Sequence, residues 1–351
     1  MNKIKIKTIQ RKIKQYYFKK RRLLPWRAKK GENQNPYQTL ISEIMLQQTR
    51  VNTVLKYFKK FLKKFPNLKM LALASNEEVL KSWSGMGYYR RAINLHKTAK
   101  IILKDYKGII PSEKKKLINL PGIGDYTSAA ISSFAYGKDE IVIDTNVERF
   151  ISRIHNFDYK KIDKNKKKDL AKNIFPKFNK GDFAQAIMDF SNDYCIKLNP
   201  KCHICIIKEL CNYKKAENVK KIKITKNSKY CTSYFLLKKN KFFFVRQRPI
   251  NQILGGLYEI PSTEWTEKKN QNKNLFESLA NSNNIVLGKS IKHEFSHFVL
   301  FSKVTIIKIN NSTEFELEGK WVSEQEFTEL PLSSLTKKIV DYSLEVLASL
   351  N

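Results

Sequence analysis

The stretch Leu117–Arg149, LINLPGIGDYTSAAISSFAYGKDEIVIDTNVER, carries a glycine turn, a helix and an isolated aspartate in one run. Gly122 and Gly124 follow Pro121, and glycines at this spacing permit positive φ and close backbone approach. The helix expected from about Tyr126 to Tyr136 starts at that turn, where free backbone N–H groups favour an anion such as a phosphate. Glycine pairs also build ordinary turns between helices, so the motif takes its weight from its neighbours. Further on, IVIDTNV at Ile141–Val147 sets Asp144 between an apolar run and the start of another helix, a place that suits a helix cap and a reacting carboxylate alike.

Composition sets the partner class. The 351 residues are 42% hydrophobic, enough for two domains that each bury a core. Lys and Arg outnumber Asp and Glu by 67 to 32, a formal charge of +35 that points to a polyanion. Part of this charge is equally consistent with a solvated lysine-rich surface. With no apolar run long enough to span a bilayer and no apolar core in the basic start MNKIKIKTIQRKIKQYYFKKRR, the expectation is a soluble protein of the cytoplasm, with no membrane partner.

Upstream of the turn the chain reads as helices joined by short loops. A basic amphipathic helix is expected over residues 8–24, ending at Leu24-Pro25-Trp26-Arg27. Asn35 and Pro36 open the next helix as N-cap and first residue, with Gln38 placed to close a capping box. On this helix Leu40, Ile41, Ile44 and Met45 share one face while Glu43 and Gln47 lie on its flank. Continuing the helix would push Gln48 into the apolar face, so Gln48 is assigned to a tight turn and Thr49 to the cap of a helix over Arg50–Phe65. Helices follow at Ser75–Trp83, Arg90–Tyr106 and Ser112–Ile118. The intervening loop Ser84–Arg90, SGMGYYR, combines glycine freedom with aromatic and arginine side chains that can stack on or wedge between bases, or simply pack.

Four of the five cysteines, Cys195, Cys202, Cys205 and Cys211, lie in one short segment at gaps of six, two and five residues. Thiolates so spaced can wrap one centre, and the spacing suits Zn²⁺ and an iron–sulfur cluster equally.

Taken together, SEIMLQQT at Ser42–Thr49, GMGYY at Gly85–Tyr89, LPGIG at Leu120–Gly124, IDTNV at Ile143–Val147 and the cysteine segment resemble the adenine DNA glycosylase (MutY) family of helix-hairpin-helix glycosylases, in order and spacing from about Leu24 to Cys211. The resemblance implies a multidomain chain. An all-α helix-hairpin-helix glycosylase domain spans 1–211, with the hairpin at about 113–137 and an iron–sulfur cluster loop at 195–211; a basic linker spans 212–228; an α/β Nudix-like domain spans 229–351.

It further implies a monomeric enzyme that binds double-stranded DNA carrying an adenine:8-oxoguanine mispair, flips the adenine out and removes it. Glu43 is implied as the general acid at the base, its pKa raised by apolar surroundings, and Asp144 as the ionised group that stabilises the sugar cation. Tyr126 stands where lyase-type relatives carry a Schiff-base lysine, so a monofunctional enzyme is expected. Trp26, Arg27 and Gln185 fall where the family lines the adenine pocket, Gln48 with Thr49 and Tyr88 where it wedges the duplex, and Gly122 with Gly124 where it holds a phosphate. The cysteines are implied as ligands of a [4Fe-4S] cluster. Asp125 departs from the family, which often has a basic residue there, and Ser191-Asn192-Asp193 is more polar than usual.

After the linker, strands are expected at Cys231–Leu237, Lys241–Arg246, Phe298–Ile309 and Glu314–Val322, with helices near Asn274–Asn281 and Leu335–Leu350. The segment LGGLYEIP at Leu254–Pro261 resembles the C-terminal domain of the same family. Leu275–Leu279 lacks the glutamates of a working Nudix box, so this half is expected to read the lesion, a role the resemblance assigns to Phe295, Ser296 and His297, while Cys231 is a buried strand residue. Two other readings stay open on the residues alone: an endonuclease III-like glycosylase/lyase for oxidised pyrimidines, and a non-catalytic zinc-containing DNA-binding protein.

Overall fold

A computed structural model describes residues 2–29, 32, 34–214, 226–238, 241–269, 285–309 and 317–349. Contacts divide it into two compact units, Met1–Leu73 with Asn94–Lys220, and Ala74–Ile93 with Lys221–Asn351.

The first unit is helical. It holds α1 (Lys3–Lys20), α2 (Pro36–Leu46), α3 (Val51–Lys64) and α4 (Leu68–Leu73), then the short α7 (Lys114–Leu117), α8 (Asp125–Tyr136), α9 (Thr145–His155), α10 (Lys164–Ile174) and α11 (Lys180–Asp193). Helix α5 (Asn76–Trp83) belongs to the second unit, and α6 (Arg90–Asp105) begins in the second unit and continues in the first. One apolar core joins α1, α8, α9, α10 and α11 around Ile13, Ala130, Phe150, Ile174, Phe183 and Phe190, all nearly inaccessible. The cysteine segment leans on the same core through Ile207.

The turn chemistry decides several boundaries. Asn35 caps α2 as expected, accepting from Gln38 N at 3.1 Å, with Pro36 in the first turn. Gln48 occupies the tight turn at φ 55°. Thr49 does not cap α3: its hydroxyl turns back to the Gln47 carbonyl at 3.4 Å, and Arg50 holds the cap position without a side-chain bond. The first helix starts five residues and ends four residues earlier than expected. Asn2 caps it through Ile4 N, and the chain leaves the helix at Arg21, ahead of Leu24-Pro25, where a residue preceding proline is driven out of the helical region. The helix before the hairpin shrinks to four residues, and α4, α10 and α11 add helices beyond those expected.

The second unit is built on a mixed sheet, with strands β1 (Asn227–Lys238), β2 (Phe243–Gln247), β3 (Tyr258–Glu259), β4 (Ile285–Glu294), β5 (Phe298–Ile309) and β6 (Lys320–Val322) in the order β3-β2-β1-β5-β4, and β6 on β2. β1 and β5 pair in parallel from Asn227 opposite Phe298 to Lys238 opposite Ile309. Helices α12 (Glu324–Thr328) and α13 (Ser334–Ser349) follow the last strand, and Phe327, Leu335, Ile339 and Val340 join the core over the sheet. Cys231 is buried in β1, as expected. β4 escaped the sequence pattern because its alternation breaks at a register shift between Leu287 and Ser290, where a Cβ on Gly288 would lie 2.9 Å from the Tyr342 ring. The helix expected near 274–281 lies outside the described residues. No described helix is long and apolar enough to cross a membrane.

Candidate active site

A cavity of about 930 Å³ opens in the helical unit, and Glu43, Tyr126, Asp144, Gln185, Trp26 and Arg27 all line it. Each reaches it for a local reason. Glu43 lies on α2, whose faces are almost wholly buried from Tyr37 to Met45, so its carboxyl cannot turn to water and is only 5% exposed. Tyr126 is the second residue of α8, directly after the glycine turn. Asp144 is the N-cap of α9.

The two carboxyls differ sharply in surroundings. Burial pushes Glu43 up to about 7; the Tyr126 hydroxyl opposes this by a hydrogen bond, nearby Asp144 adds to it, and Arg27 opposes it. One of its oxygens, Oε2, is buried without a hydrogen-bond partner among the described residues. Such an orphaned acceptor is costly and rare, and it marks where a ligand donor or a shared proton would be satisfied. Asp144 is also raised by burial, but against this it accepts from Asn146 N at 3.0 Å, Asn146 Nδ2 at 2.6 Å and Val147 N at 2.8 Å, with the Arg149 charge nearby. Its capping role and any chemical role therefore coexist. Tyr126 is held well above its usual value, first by burial and then by the two carboxyls, which keeps the phenol a donor.

The aromatic and polar walls follow. Trp26 is buried edge-on against Phe58 at 5.2 Å, and Gln185 accepts from the Tyr17 hydroxyl at 3.2 Å. Arg27 presents its guanidinium to Asp189, with Nη1 2.6 Å from Oδ2 and Nη2 3.1 Å from Oδ1. Sequence reasoning passed over Asp189, although it lies one helical turn after Gln185 on the same face of α11, a spacing that could have drawn attention to it. Exposed Gln48 and half-buried Thr49 line the cavity mouth.

At the hairpin, Gly122 has φ +77° and Gly124 an extended φ of −93°. Gln47 Nε2 donates to the Gly122 carbonyl at 3.1 Å and to the Thr127 hydroxyl at 3.2 Å, tying the hairpin to α2. Asp125 pairs with Lys114 at 2.8 Å, which offsets the acid beside the glycine turn. The polar run before the cysteines is also satisfied: Ser191 bonds the Asn146 carbonyl, Asn192 the Met188 carbonyl, and Asp193 accepts from Tyr16 at 2.5 Å.

Cys202, Cys205 and Cys211 sit on two 3₁₀ turns and their flanks, and Cys195 follows the end of α11, the four close enough for their charges to act on one another. Arg153 on α9 stakes the segment down, donating to Cys195 Sγ at 3.3 Å and to the Cys195 and Ile196 carbonyls at 3.1 and 2.7 Å; Arg149 donates to the Cys195 carbonyl at 2.8 Å. Among the described residues no three Cys, His, Asp or Glu side chains close into a metal-holding group. The chemistry of the set, four thiols with two guanidiniums to balance thiolate charge, nevertheless suits a soft-metal centre.

In the second unit, Tyr88 is 43% exposed at φ 49°, and its hydroxyl lies 2.6 Å from the Ser296 hydroxyl. Phe295 stacks on Phe298 at 4.6 Å and touches Trp265 at 5.4 Å, leaving Ser296 and His297 exposed at the tip.

Comparison with known proteins agrees with this arrangement. Residues 41–176 match the HhH-GPD superfamily of base excision DNA repair proteins, and residues 233–342 match the NUDIX domain. An adenine DNA glycosylase of Buchnera aphidicola subsp. Baizongia pistaciae is 35% identical over 320 residues, covering 85% of this chain and 87% of that protein. The human adenine DNA glycosylase is 26% identical over 391 residues, covering 92% of this chain and 72% of its own. Among solved structures, a thermostable thymine-DNA glycosylase superposes with a TM-score of 0.55 at 32% identity over 60% of this chain and 96% of that one. Endonuclease III in a non-covalent DNA complex superposes with a TM-score of 0.51 at 23% identity over the same shares, a likeness of fold.

Proposed function

The chain belongs to the adenine DNA glycosylase family, so it is a DNA N-glycosylase of base excision repair, and on that premise we propose that it removes adenine paired with 8-oxoguanine, and with guanine, without cutting the strand. The observation that carries this reading is Glu43: a buried carboxyl held near neutrality, with an unpartnered oxygen, in the same cavity as a hydrogen-bonded Asp144.

The reaction divides between these groups. Adenine flips into the cavity, where Trp26 covers its face and Arg27 and Gln185 address its polar edge. Protonated Glu43 delivers its proton to the base as the bond from C1′ to N9 breaks, so adenine leaves with the bond's electron pair and without a net negative charge. Asp144 faces the cationic sugar, and water adds hydroxide to C1′, its remaining proton returning to Glu43. Tyr126 holds Glu43 in place and, as a phenol, offers no amine for a Schiff base. Gln48 and Thr49 fill the stack left by the base, Tyr88 serves the second unit as a wedge residue, and the Gly122 to Gly124 turn holds a backbone phosphate. Phe295, Ser296 and His297 meet the polar edge by which 8-oxoguanine differs from guanine.

Cys195, Cys202, Cys205 and Cys211 would hold a [4Fe-4S] cluster, which when bound supplies a rigid centre for the surrounding basic loop. Purified protein containing iron and acid-labile sulfide in equal amounts supports this; stoichiometric zinc instead overturns it. Function itself is tested by single-turnover assays on duplexes with adenine opposite 8-oxoguanine, adenine opposite guanine and thymine opposite guanine, worked up with and without alkali. Base release fastest from the first, with breaks only after alkali, is the expected result. Preferred release of thymine, or a borohydride-trapped adduct, refutes it.

A further inference from the structure

Asp189 is fully buried, yet it accepts four hydrogen bonds from two arginines: Arg22 N at 3.1 Å, Arg22 Nε at 2.6 Å, Arg27 Nη1 at 2.6 Å and Arg27 Nη2 at 3.1 Å. Of the two, Arg27 is the buried partner, its side chain 6% exposed against 33% for Arg22. Both arginines line the cavity and Asp189 does not. A buried ion pair adds little net stability, because desolvation offsets its attraction, so this one calls for a reason other than folding.

We propose that Asp189 is a positioning residue for base release: it fixes the Arg27 guanidinium in the cavity wall and offsets part of its charge, so that the wall can address a flipped base with less pull on the proton of Glu43. This rests on the reading of Glu43 as the acid. An uncompensated guanidinium in a low-dielectric wall favours the carboxylate form of a neighbouring acid. The groups facing Glu43 are Tyr126 from α8, Asp144 from the start of α9 and Arg27 from the loop after α1; of these, Tyr126 and Arg27 act to lower its pKa and Asp144 to raise it. Around Asp189 stand Arg22 and Arg27, with Tyr16 and Tyr17 of α1 within reach of its charge. Burial pushes Asp189 up, but the two arginines outweigh it and hold the carboxyl below its usual range, so its charge is present throughout the working pH range.

The test is the pH profile of single-turnover adenine release by the full chain, where the rate falls as Glu43 loses its proton. Asp189→Asn leaves Arg27 uncompensated and should move that alkaline limb down by roughly 1 pH unit, about a tenfold loss of rate above the limb. Arg27→Gln removes a guanidinium from beside Glu43, leaves Asp189 balanced by Arg22 alone, and should move the limb up. The double variant Arg27→Gln/Asp189→Asn should return it to the wild-type position, although weaker base contacts lower the rate at every pH. Should Asp189→Asn not fold, the Arg27→Gln shift and its reversal in the double variant still decide. Limbs that coincide in all folded variants refute the proposal, since a purely structural carboxylate would change rate or stability without moving them. If wild type releases no adenine at all, the functional reading fails instead.

Discussion

Glu43 and Asp144 are two carboxyls on one cavity with different surroundings, and single substitutions separate the tasks proposed for them. Glu43 is pushed up to about 7 by burial, so it carries its proton below that pH. Adenine release should be fastest below about 7 and fall about tenfold per unit above it, as followed by single-turnover rates. Glu43→Gln should cost about 10² to 10⁴ in rate while duplex binding, measured by gel shift, is retained. Asp144 poses a sharper question because it also caps α9. Both backbone bonds go to Oδ1, from Asn146 N and Val147 N, and an asparagine carbonyl can accept the same pair. Asp144→Asn should therefore shift thermal stability by no more than about 1 kcal/mol while losing about 10² to 10³ in rate. Equal losses in both measurements would mean that Asp144 is only a cap.

The hairpin turn owes its shape to one glycine more than the other. Gly122 sits at φ +77°, and a Cβ there would lie 2.8 Å from Asn94 Cβ; at Gly124 nothing stands within 4 Å of an added Cβ and φ is not positive. Gly122→Ala should cost at least about 1–2 kcal/mol from left-handed strain alone, and distortion of the turn should weaken duplex binding. Gly124→Ala should change stability by less than about 1 kcal/mol. Thermal denaturation and a binding isotherm on the same two variants check both. If Gly124→Ala is the more damaging of the pair, the turn presents its backbone to DNA more closely at the second glycine.

For the chain as a whole, charge is the dominant long-range property. With 67 basic against 32 acidic residues, affinity for duplex DNA should fall with salt by about 0.9 log units per phosphate contact for each tenfold rise in concentration. Fluorescence anisotropy across a salt series measures this, and a flat response contradicts phosphate-dominated binding.

Much of this molecule was legible in order along the chain. The Asn35-Pro36 helix start, the Gln48 turn, the helix after Gly124, the Asp144 cap and strand Phe298–Ile309 all depend on neighbours within a few residues, and such local geometry is written in local sequence. Features that required the fold are those whose cause lies far away. β4 exists because β5 pairs with it and Tyr342 fills the space beside Gly288, neither of which is visible in its own broken alternation. Glu43 reads on a helix wheel as a flank charge; burial of nearly the whole of α2, helped by Asp144 from a helix start about a hundred residues on and opposed by Tyr126, turns it into an acid near neutrality. The grip of Asp189 on Arg27, 162 positions apart, follows from the packing of α11 beside the end of α1. Periodicity and caps act over a single helical turn, whereas a pKa or an ion pair is set by whatever side chains the completed core brings within a few ångströms.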